Sequence, residues 1–223
     1  MAISIRPYQP ADEEAVENIT YRTGFKGEGL EGRDYFNDKR LFFMIFIAYY
    51  AHYEPEHFFV AVEDDSQDVV GFICGTTNTP RQEKRFALTM YWRIALRALF
   101  FTSWRSPKTF KTLLGLGKVL PDMREKPANP VDIHVEYPGH LHINVLPEYH
   151  HMGIGTNMIS HFEDHLKCLG IKGVHLGTTS RNHKAVPFYK KHGYAIVKEA
   201  STAIHPVFKE ISFLTFAKKL TSE

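Results

Sequence analysis

The sequence predicts an α/β fold in which a mixed central β-sheet of about six to seven strands is flanked by helices. From residue 139 onward, short runs of β-branched and aromatic residues alternate with stretches of helical periodicity, which is the pattern of strands connected by helices. The chain has 223 residues, of which 43% are hydrophobic and 23% are charged, as in ordinary globular proteins. This length suits a single domain, which we expect to span residues 1–223.

The N-terminal part predicts a strand, a helix and a hairpin. Ile3 and Ile5 alternate with polar residues, and Pro10–Glu14 places acidic residues at the start of a helix. The glycine-rich stretch Thr23–Gly32 is predicted to be a mobile loop that interrupts the helical pattern and is a candidate to frame a substrate. One buried helix and two hairpin strands are predicted next, at Leu41–Tyr53, His57–Val62 and Val69–Cys74.

Between residues 80 and 130 the pattern becomes helical, and we interpret this stretch as a helical insertion. An apolar, arginine-rich segment, Met90–Trp104, is followed by Thr109–Val119 and a proline-rich link. Such a helix can pack on the domain, cover a site, join a homodimer or lie on a membrane surface. Trp92 and Trp104 are expected in the core or in an interface.

The C-terminal part predicts, in order, a strand, a glycine loop, a helix, a strand, a helix and two strands. The corresponding strands and helices are 140–145, 155–170, 173–179, 182–193, 194–199 and 211–218.

Charge and cysteine content argue against several classes of protein. With 27 Lys and Arg against 25 Asp and Glu, the net charge is +2, so no nucleic-acid partner is expected. Each of the two cysteines lies in an apolar run, which predicts no disulfide and a cytoplasmic location. The N-terminal residues do not have the pattern of a signal peptide. The most apolar run, Leu41–Tyr53, is shorter than the roughly 18 to 20 residues of a membrane span, and no span is predicted.

An anion-binding loop is predicted where the strand ending at Val145 leads into a helix. Gly153 and Gly155 stand at the helix start, where glycine allows a ligand to approach the backbone closely. The first N–H groups of a helix have no partner within it, and the positive end of the helix dipole favours phosphate. A Gly-x-Gly alone is more often a tight turn, so a second motif is needed.

The second motif begins at Asn182 and reads Asn-x-x-Ala-x-x-Phe-Tyr-x-x-x-Gly-Tyr through Tyr194. Together with the glycine loop it resembles the GNAT superfamily of acyl-CoA N-acyltransferases, whose loop pattern is Gln/Arg-x-x-Gly-x-Gly/Ala. His150 and His151 depart from that pattern, because Gln or Arg and another basic residue are usual there. The main-chain cradle does not depend on these side chains.

The close resemblance spans roughly residues 134–198, while the N-terminal part agrees in the order of its strands and helices. Within the superfamily, residues 137–143 and 173–177 resemble the subgroup related to the acetyltransferase-like C-terminal domain of O-GlcNAcases.

The resemblance implies a GNAT-type sheet, acetyl-CoA as co-substrate, and acetyl transfer to a primary amine by direct attack in a ternary complex. No metal is expected from the residues. In such a sheet the strand ending at Val145 splays from the strand starting near Val174, and the pantetheine arm lies between them. Tyr189 is implied as the general acid beside the thioester sulfur. Cofactor contacts are implied for Val145, Leu146, His150, His151, Met152, Gly153, Ile154, Gly155, Thr156, Asn182 and Tyr189.

The general base has several candidates. Glu136 is the first choice and His142 the second, and a water chain is the third. His140, His142 and Asn144 share one strand face by the period of two, so His142 is expected either to point into the cleft or to be satisfied on an exposed face.

Alternative interpretations stay open at this point. The departures at His150 and His151 allow a catalytically inactive GNAT-fold binding module, and a longer donor such as succinyl-CoA is chemically close. His161 and His165 are four residues apart on one helix, but no third ligand marks a zinc site.

Overall fold

The computed structural model describes residues 2–27, 29–30, 36–111, 113, 133–201 and 212–220. The described strands are β1 Ile3–Pro7, β2 Phe58–Glu63, β3 Val69–Thr76, β4 Gly139–Val145, β5 Gly173–Thr179, β6 Ala195–Ser201 and β7 Ser212–Lys219. They form one seven-stranded sheet in the order β1-β2-β3-β4-β5-β7-β6. Neighbouring strands are antiparallel except β4 and β5, which are parallel. The mixed sheet predicted from the sequence is confirmed.

Helices cover both faces of the sheet. The α-helices are α1 Glu13–Gly27, α2 Lys39–Phe46, α3 Ala48–Tyr53, α4 Thr79–Thr89, α5 Tyr91–Arg97, α6 Ser103–Arg105, α7 Ile133–Glu136, α8 Ile154–Cys168 and α9 Ala185–Lys191. A π-helical turn at Ala98–Thr102 joins α5 to α6, and short 3-10 turns lie at Pro10–Asp12, Pro55–His57 and Pro147–Tyr149. Within the described ranges, every helix is too short or too polar to cross a bilayer.

The sheet separates two hydrophobic cores. On one face, α8 packs Met158, Phe162 and Leu166 against strands β2 to β5, together with Phe216 of β7. On the other face, α1, α2 and α3 cover a second core that includes Phe43, Tyr49 and Phe72. Because side chains alternate along a strand, β4 contributes Leu141 to the first core and turns its histidines to the opposite face.

Two sequence predictions about helix boundaries are wrong. Residues 23–27 of the predicted glycine-rich loop belong to α1, because Gly24 packs its backbone against the ring of Phe42, where a Cβ would approach to 2.6 Å. Beyond α1, Gly29 has a positive φ of 78°, and residues 28, 31 and 32 lie outside the described residues. The predicted helix Leu41–Tyr53 is two helices, because the backbone of Ile47 leaves the helical region at φ −123° and ψ −36°.

The helical character predicted after residue 80 is present from Thr79 to Arg105 and again at residues 107–111 and 113. Trp92 and Trp104 are not core residues, since they are 53% and 86% exposed. Residue 112 and residues 114–132, which include most of the predicted second helix and the proline-rich link, lie outside the described residues. That this stretch is an insertion stays a prediction.

Candidate active site

The two central strands separate soon after they begin to pair. The parallel ladder between β4 and β5 joins only Gly139 to Val174 and His140 to His175. On its other side β4 stays paired with β3 as far as Val145. The edge of β4 from Leu141 to Val145 therefore leaves β5 and forms one wall of a cleft.

The glycine loop closes the end of this cleft. Gly153 has φ +79° and precedes the first residue of α8, and His151 also has a positive φ of 66°. A positive φ is favourable mainly for glycine, which explains the residue type at 153. Nothing lies within 4 Å of the position of a Cβ at Gly153, so the loop is open to a ligand there. Gly155 faces Phe188, whose ring a Cβ would approach to 3.3 Å.

The start of α8 supplies the main-chain donors of the predicted anion site. The N–H of Asn157 donates to the carbonyl of Gly153 as the first bond of the helix. The N–H groups before Asn157 have no carbonyl four residues back within the helix, so they are available to an anion. No side chain caps this helix start.

His150 makes a contact that the sequence did not predict. Its Nε2 lies 3.0 Å from the carbonyl oxygen of Val145, and since a carbonyl only accepts, Nε2 donates. The ring thus ties the loop to the end of β4 and occupies one of the backbone groups implied for pairing with pantetheine. The N–H of the next residue, Leu146, donates to the carbonyl of Val70 at 2.9 Å.

A cavity of about 640 Å³ lies between the glycine loop and α9. Among the described residues that line it none is acidic, whereas Lys184 and Lys191 are basic. Nine of the eleven predicted cofactor contacts line this cavity. The other two do not: the side chain of Leu146 is buried in the core, and that of Met152 is exposed to solvent. The predicted residues it brings together are Val145, His150, His151, Gly153, Ile154, Gly155, Thr156, Asn182 and Tyr189.

The second motif forms the opposite wall of this cavity. The side-chain oxygen of Asn182 accepts a hydrogen bond from the N–H of Ala185 at 3.1 Å and so caps the start of α9. Tyr189 is 7% exposed and packs against Tyr194 and Phe216 while it lines the cavity. Burial raises the pKa of Tyr189, so the phenol keeps its proton at neutral pH.

A second cavity of about 740 Å³ lies on the other side of β4. It is lined by α2, α4, Tyr50, Tyr91 and His142. His142 and the next residue, Ile143, line different cavities. Strand β4 therefore separates the two spaces and contributes side chains to both.

Four histidines form a row at the point where β4 and β5 part. The ring centroids of His140 and His142 are 4.8 Å apart, those of His140 and His175 are 5.0 Å apart, and those of His175 and His134 are 6.0 Å apart. Nδ1 of His175 donates to the carbonyl of Tyr137 at 2.8 Å. Burial of Tyr50 raises the pKa of its hydroxyl, which keeps its proton and donates to Nδ1 of His140 at 3.1 Å.

This row holds its central histidines neutral. Burial, and then repulsion by His175, lowers the pKa of His142 to about 4. Burial and repulsion by His142, His175 and His134 lower the pKa of His140 well below its usual range. A neutral imidazole retains a lone pair, so His142 can accept a proton at neutral pH.

The structure does not bring Glu136, the base preferred from the sequence, into this cluster. Glu136 ends α7, its side chain is 43% exposed, and its carboxylate lies 3.6 Å from the ammonium group of Lys219. It precedes β4, whose other end carries the glycine loop, and seven strand residues span about 20 Å. The carboxylate therefore faces solvent at the far end of the strand.

Sequence reasoning missed the residues that reach the site from other parts of the chain. Tyr50 comes from α3, and Thr23 of α1 accepts a hydrogen bond from the amide of Asn144 at 2.7 Å. Lys184, Lys191 and His192 lie within or beside the second motif at positions where the family pattern is undefined. Only the helical spacing of residues 184, 188, 191 and 192 was a signal for them.

His161 and His165 do not converge on a common ligand. His165 lies 2.9 Å from Nδ1 of His57, and His161 packs edge-on against Phe59 with ring centroids 4.6 Å apart. Among the described residues, no group of three or more His, Cys, Asp or Glu side chains is arranged to hold a metal ion.

Comparison with known proteins gives the class of this site. Residues 113–194 match the model of the acetyltransferase (GNAT) family, and the match contains β4, the glycine loop and α9. The crystal structure of SsHAT is similar over 100% of both chains, with 29% identity and a TM-score of 0.75. The chain has the GNAT fold, and residues 113–194 carry the sequence pattern of that acetyltransferase family. The prediction of this superfamily from the two motifs is confirmed.

More distant structures share the fold of this GNAT domain. Salmonella typhimurium yncA, solved with its cofactor acetyl-CoA, is 14% identical with a TM-score of 0.56 and is similar over 100% of this chain and 96% of its own. Naa20 from Chaetomium thermophilum, in complex with a bisubstrate analogue, is 17% identical with a TM-score of 0.51 over 97% and 86% of the two chains. The narrower likeness to the O-GlcNAcase domain stays a prediction.

Proposed function

We propose that this GNAT domain is an N-acetyltransferase that transfers the acetyl group of acetyl-CoA to a primary amine by direct attack in a ternary complex. The observation that carries the proposal is the departure of β4 from β5 after His140, with one cavity on each side of the freed strand. A donor in one cavity and an acceptor in the other can meet only at this strand.

The cavity beside the glycine loop fits the anionic part of CoA. The start of α8 presents free N–H groups, the open Cβ position at Gly153 leaves them accessible, and lysines without acidic neighbours line the wall. The edge of β4 that leaves β5 after His140 suits the amide groups of pantetheine, because an unpaired strand edge offers both donors and acceptors. At its end the carbonyl of Val145 already accepts a hydrogen bond from His150.

Direct attack is favoured over an acetylated cysteine. Cys74 lies across the strand from His142, but it is fully buried, and burial raises the pKa of its thiol so that it stays protonated. Cys168 ends α8 and lines neither cavity. The acceptor amine is then the nucleophile: its nitrogen bonds to the carbonyl carbon, the C–S bond breaks, and the nitrogen loses one proton.

We call the cavity beside the glycine loop the donor cavity and the second cavity, lined by α2 and α4, the acceptor cavity. We assign the removal of that proton to His142, which lies on β4 and lines the acceptor cavity. A histidine with a pKa of about 4 is a weak base toward a free ammonium ion, so the amine must enter neutral. Its nitrogen becomes far more acidic once bonded to the carbonyl carbon, and the neutral ring then accepts the proton. The rate should therefore rise with pH as the acceptor amine is deprotonated.

Tyr189 is assigned to the leaving sulfur. Its phenol stays protonated because it is buried, and it lines the donor cavity. A thiolate with a free pKa of about 8.5 is a good leaving group by itself. The contribution of Tyr189 is therefore a hydrogen bond to the developing thiolate, which makes it useful but dispensable.

The test is release of free CoA thiol from acetyl-CoA in the presence of a panel of amines, namely a polyamine, an amino sugar, an aminoglycoside and peptides with a free N-terminus or a lysine. Acetyl-CoA consumption that depends on one amine, with the acetylated product seen by mass spectrometry, would support the proposal. Turnover with succinyl-CoA but not with acetyl-CoA would identify succinyl-CoA as the acyl donor. Tight CoA binding without turnover on any amine would favour the inactive binding module.

A further inference from the structure

The helical segment from Thr79 to Arg105 turns an apolar stripe outward. Its protein-facing side carries Met90, which is 1% exposed, and Thr102, which is fully buried. The opposite side carries large apolar side chains at the three- and four-residue spacing of one helix face. These exposed residues are Leu88, Tyr91, Trp92, Leu96, Leu99, Phe100 and Trp104, and we refer to them as the aromatic face.

The exposure of the aromatic face is far greater than that of scattered surface residues. Leu88 is 70% exposed, Phe100 is 73% exposed and Trp104 is 86% exposed. A contiguous apolar patch of this kind on a protein surface marks an interaction site.

The segment that carries this face is strongly basic. Residues 79–111 contain eight Lys and Arg and one Glu, a net charge of +7, whereas the whole chain has a net charge of +2. Arg97 is neutralised by Asp38 at 2.8 Å. Arg93 instead lies over the ring of Trp92 on the aromatic face, 5.2 Å from its centroid. Arg105, which follows Trp104 of that face, lies 5.0 Å from the ring centroid of the adjacent Phe101.

We propose that the aromatic face docks the protein on an anionic lipid surface. Tryptophan and tyrosine are the residues enriched at the boundary between water and lipid, and a helix with Trp, Phe and Leu on one side and arginines beside them lies in that boundary. Basic residues near it are attracted to anionic headgroups. A symmetric contact between two copies would instead bring the same basic patch against itself, which like-charge repulsion disfavours.

Docking in this way fixes the orientation of the protein. Tyr91 belongs both to the aromatic face and to the lining of the acceptor cavity. A lipid surface bound to this face therefore lies at the mouth of that cavity. The term acceptor cavity rests on the proposed function, but the docking proposal does not depend on that function.

The two tryptophans of the chain both lie on the aromatic face, so intrinsic fluorescence reports on it selectively. We expect the full chain to co-sediment with vesicles of phosphatidylserine and phosphatidylcholine in equal parts, with a blue shift of its emission, and not with pure phosphatidylcholine. Raising the salt concentration should weaken binding, because exposed charges are screened.

Phe100→Ser keeps both tryptophans and should lower the affinity for the anionic vesicles about tenfold. The double variant Arg93→Gln, Arg105→Gln should also lower this affinity and should make it less dependent on salt concentration. Leu169→Ser is the matched control, because Leu169 is 49% exposed at the end of α8 and should bind as the unmodified chain does.

Failure of the full chain to bind anionic vesicles would overturn the proposal. So would equal losses of affinity in Phe100→Ser and Leu169→Ser. A dimer of the full chain that Phe100→Ser converts to a monomer, without vesicle binding, would assign the face to self-association instead.

Discussion

The two cavities beside β4 are built in different ways from the sequence. The donor cavity draws nearly all of its lining from residues 143–156 and 182–192, two short runs that follow consecutive strands. The acceptor cavity collects side chains from α2, α3, the segment 80–91 and β4, which are far apart in the chain. A motif can encode the first arrangement but not the second, because a motif records only residues at fixed spacing.

The difference has a chemical counterpart. The donor cavity uses backbone N–H groups at a helix start, which almost any sequence with the right glycines supplies. The acceptor cavity uses side chains. Among the described residues that line it, only His142 belongs to β4, and its imidazole has a titratable nitrogen. Variants on the two sides should therefore affect binding of the donor and the chemical step separately.

The largest effect is expected on the acceptor side. His142→Gln should lower kcat by about a hundredfold, since a positioned acid or base contributes at least that factor, while the Kd for acetyl-CoA stays within about twofold. Steady-state kinetics and calorimetry measure the two quantities. Glu136→Gln is the companion variant, and its effect on kcat should be the smaller one. A larger loss of kcat in Glu136→Gln would restore the base preferred from the sequence.

A smaller effect, on binding, is expected on the donor side. Gly153→Ala should raise the Kd for acetyl-CoA by about tenfold, because a Cβ at φ +79° costs roughly 1 to 2 kcal/mol and the loop must shift its N–H groups to relieve it. Gly170→Ala is the matched control. Gly170 has φ +72° and an equally open Cβ position, but it lies beyond the other end of α8. Equal Kd values for the two variants would remove the loop from the binding site.

Tyr189→Phe should lower kcat severalfold and leave the Kd for acetyl-CoA unchanged, because it removes one hydrogen bond to the leaving sulfur. Tyr194→Phe controls for the loss of a buried phenol hydroxyl, since Tyr194 packs on Tyr189 and is itself only 3% exposed. The difference in kcat between the two variants measures the contribution of Tyr189. If both retain full turnover, the sulfur needs no acid.

The histidine row should make the fold sensitive to mild acid. His142 has a pKa of about 4 in the folded protein and about 6.5 when unfolded, so the unfolded chain binds the extra proton and stability falls as pH drops through this window. Between pH 7 and pH 5 this single group costs about 2 kcal/mol of unfolding free energy, or a few degrees in Tm.

His142→Phe should make the fall in Tm between pH 7 and pH 5 shallower, and the depressed pKa values of His140 and His175 should account for part of what remains. Exposed His161→Phe is the control and should keep the slope of the unmodified chain. Parallel slopes in all three proteins would mean that His142 is not held neutral by the fold.

Much of the fold could be predicted from the sequence, because local patterns determine it. The strand at 173–179 has the predicted bounds, and the β2–β3 hairpin and α8 begin and end within a few residues of the predicted ones. The errors arose where tertiary contacts override a local signal. Gly24 reads as a loop residue but is required by the ring of Phe42.

On the donor side the sequence predicted most of the residues that line the cavity, whereas on the acceptor side it offered only His142. Glu136 was chosen because it precedes a central strand, but sequence distance does not show which end of the strand faces the cleft. His142 was recognised by the alternation along β4, whereas its neighbours Tyr50 and His175 come from other strands and helices that no period connects to it. Trp92 and Trp104 were assigned to the core or an interface from their residue type, although one face of their helix has no protein to cover it among the described residues.

We infer that the cleft between the glycine loop and α9 binds acetyl-CoA. The most direct test is calorimetric titration of the purified protein with acetyl-CoA, with CoA and ATP as comparison ligands, between pH 6 and pH 8. We predict micromolar binding of the two CoA species and none of ATP, since only CoA carries a pantetheine arm to pair with the free edge of β4. Absence of acetyl-CoA binding across this range would contradict the account.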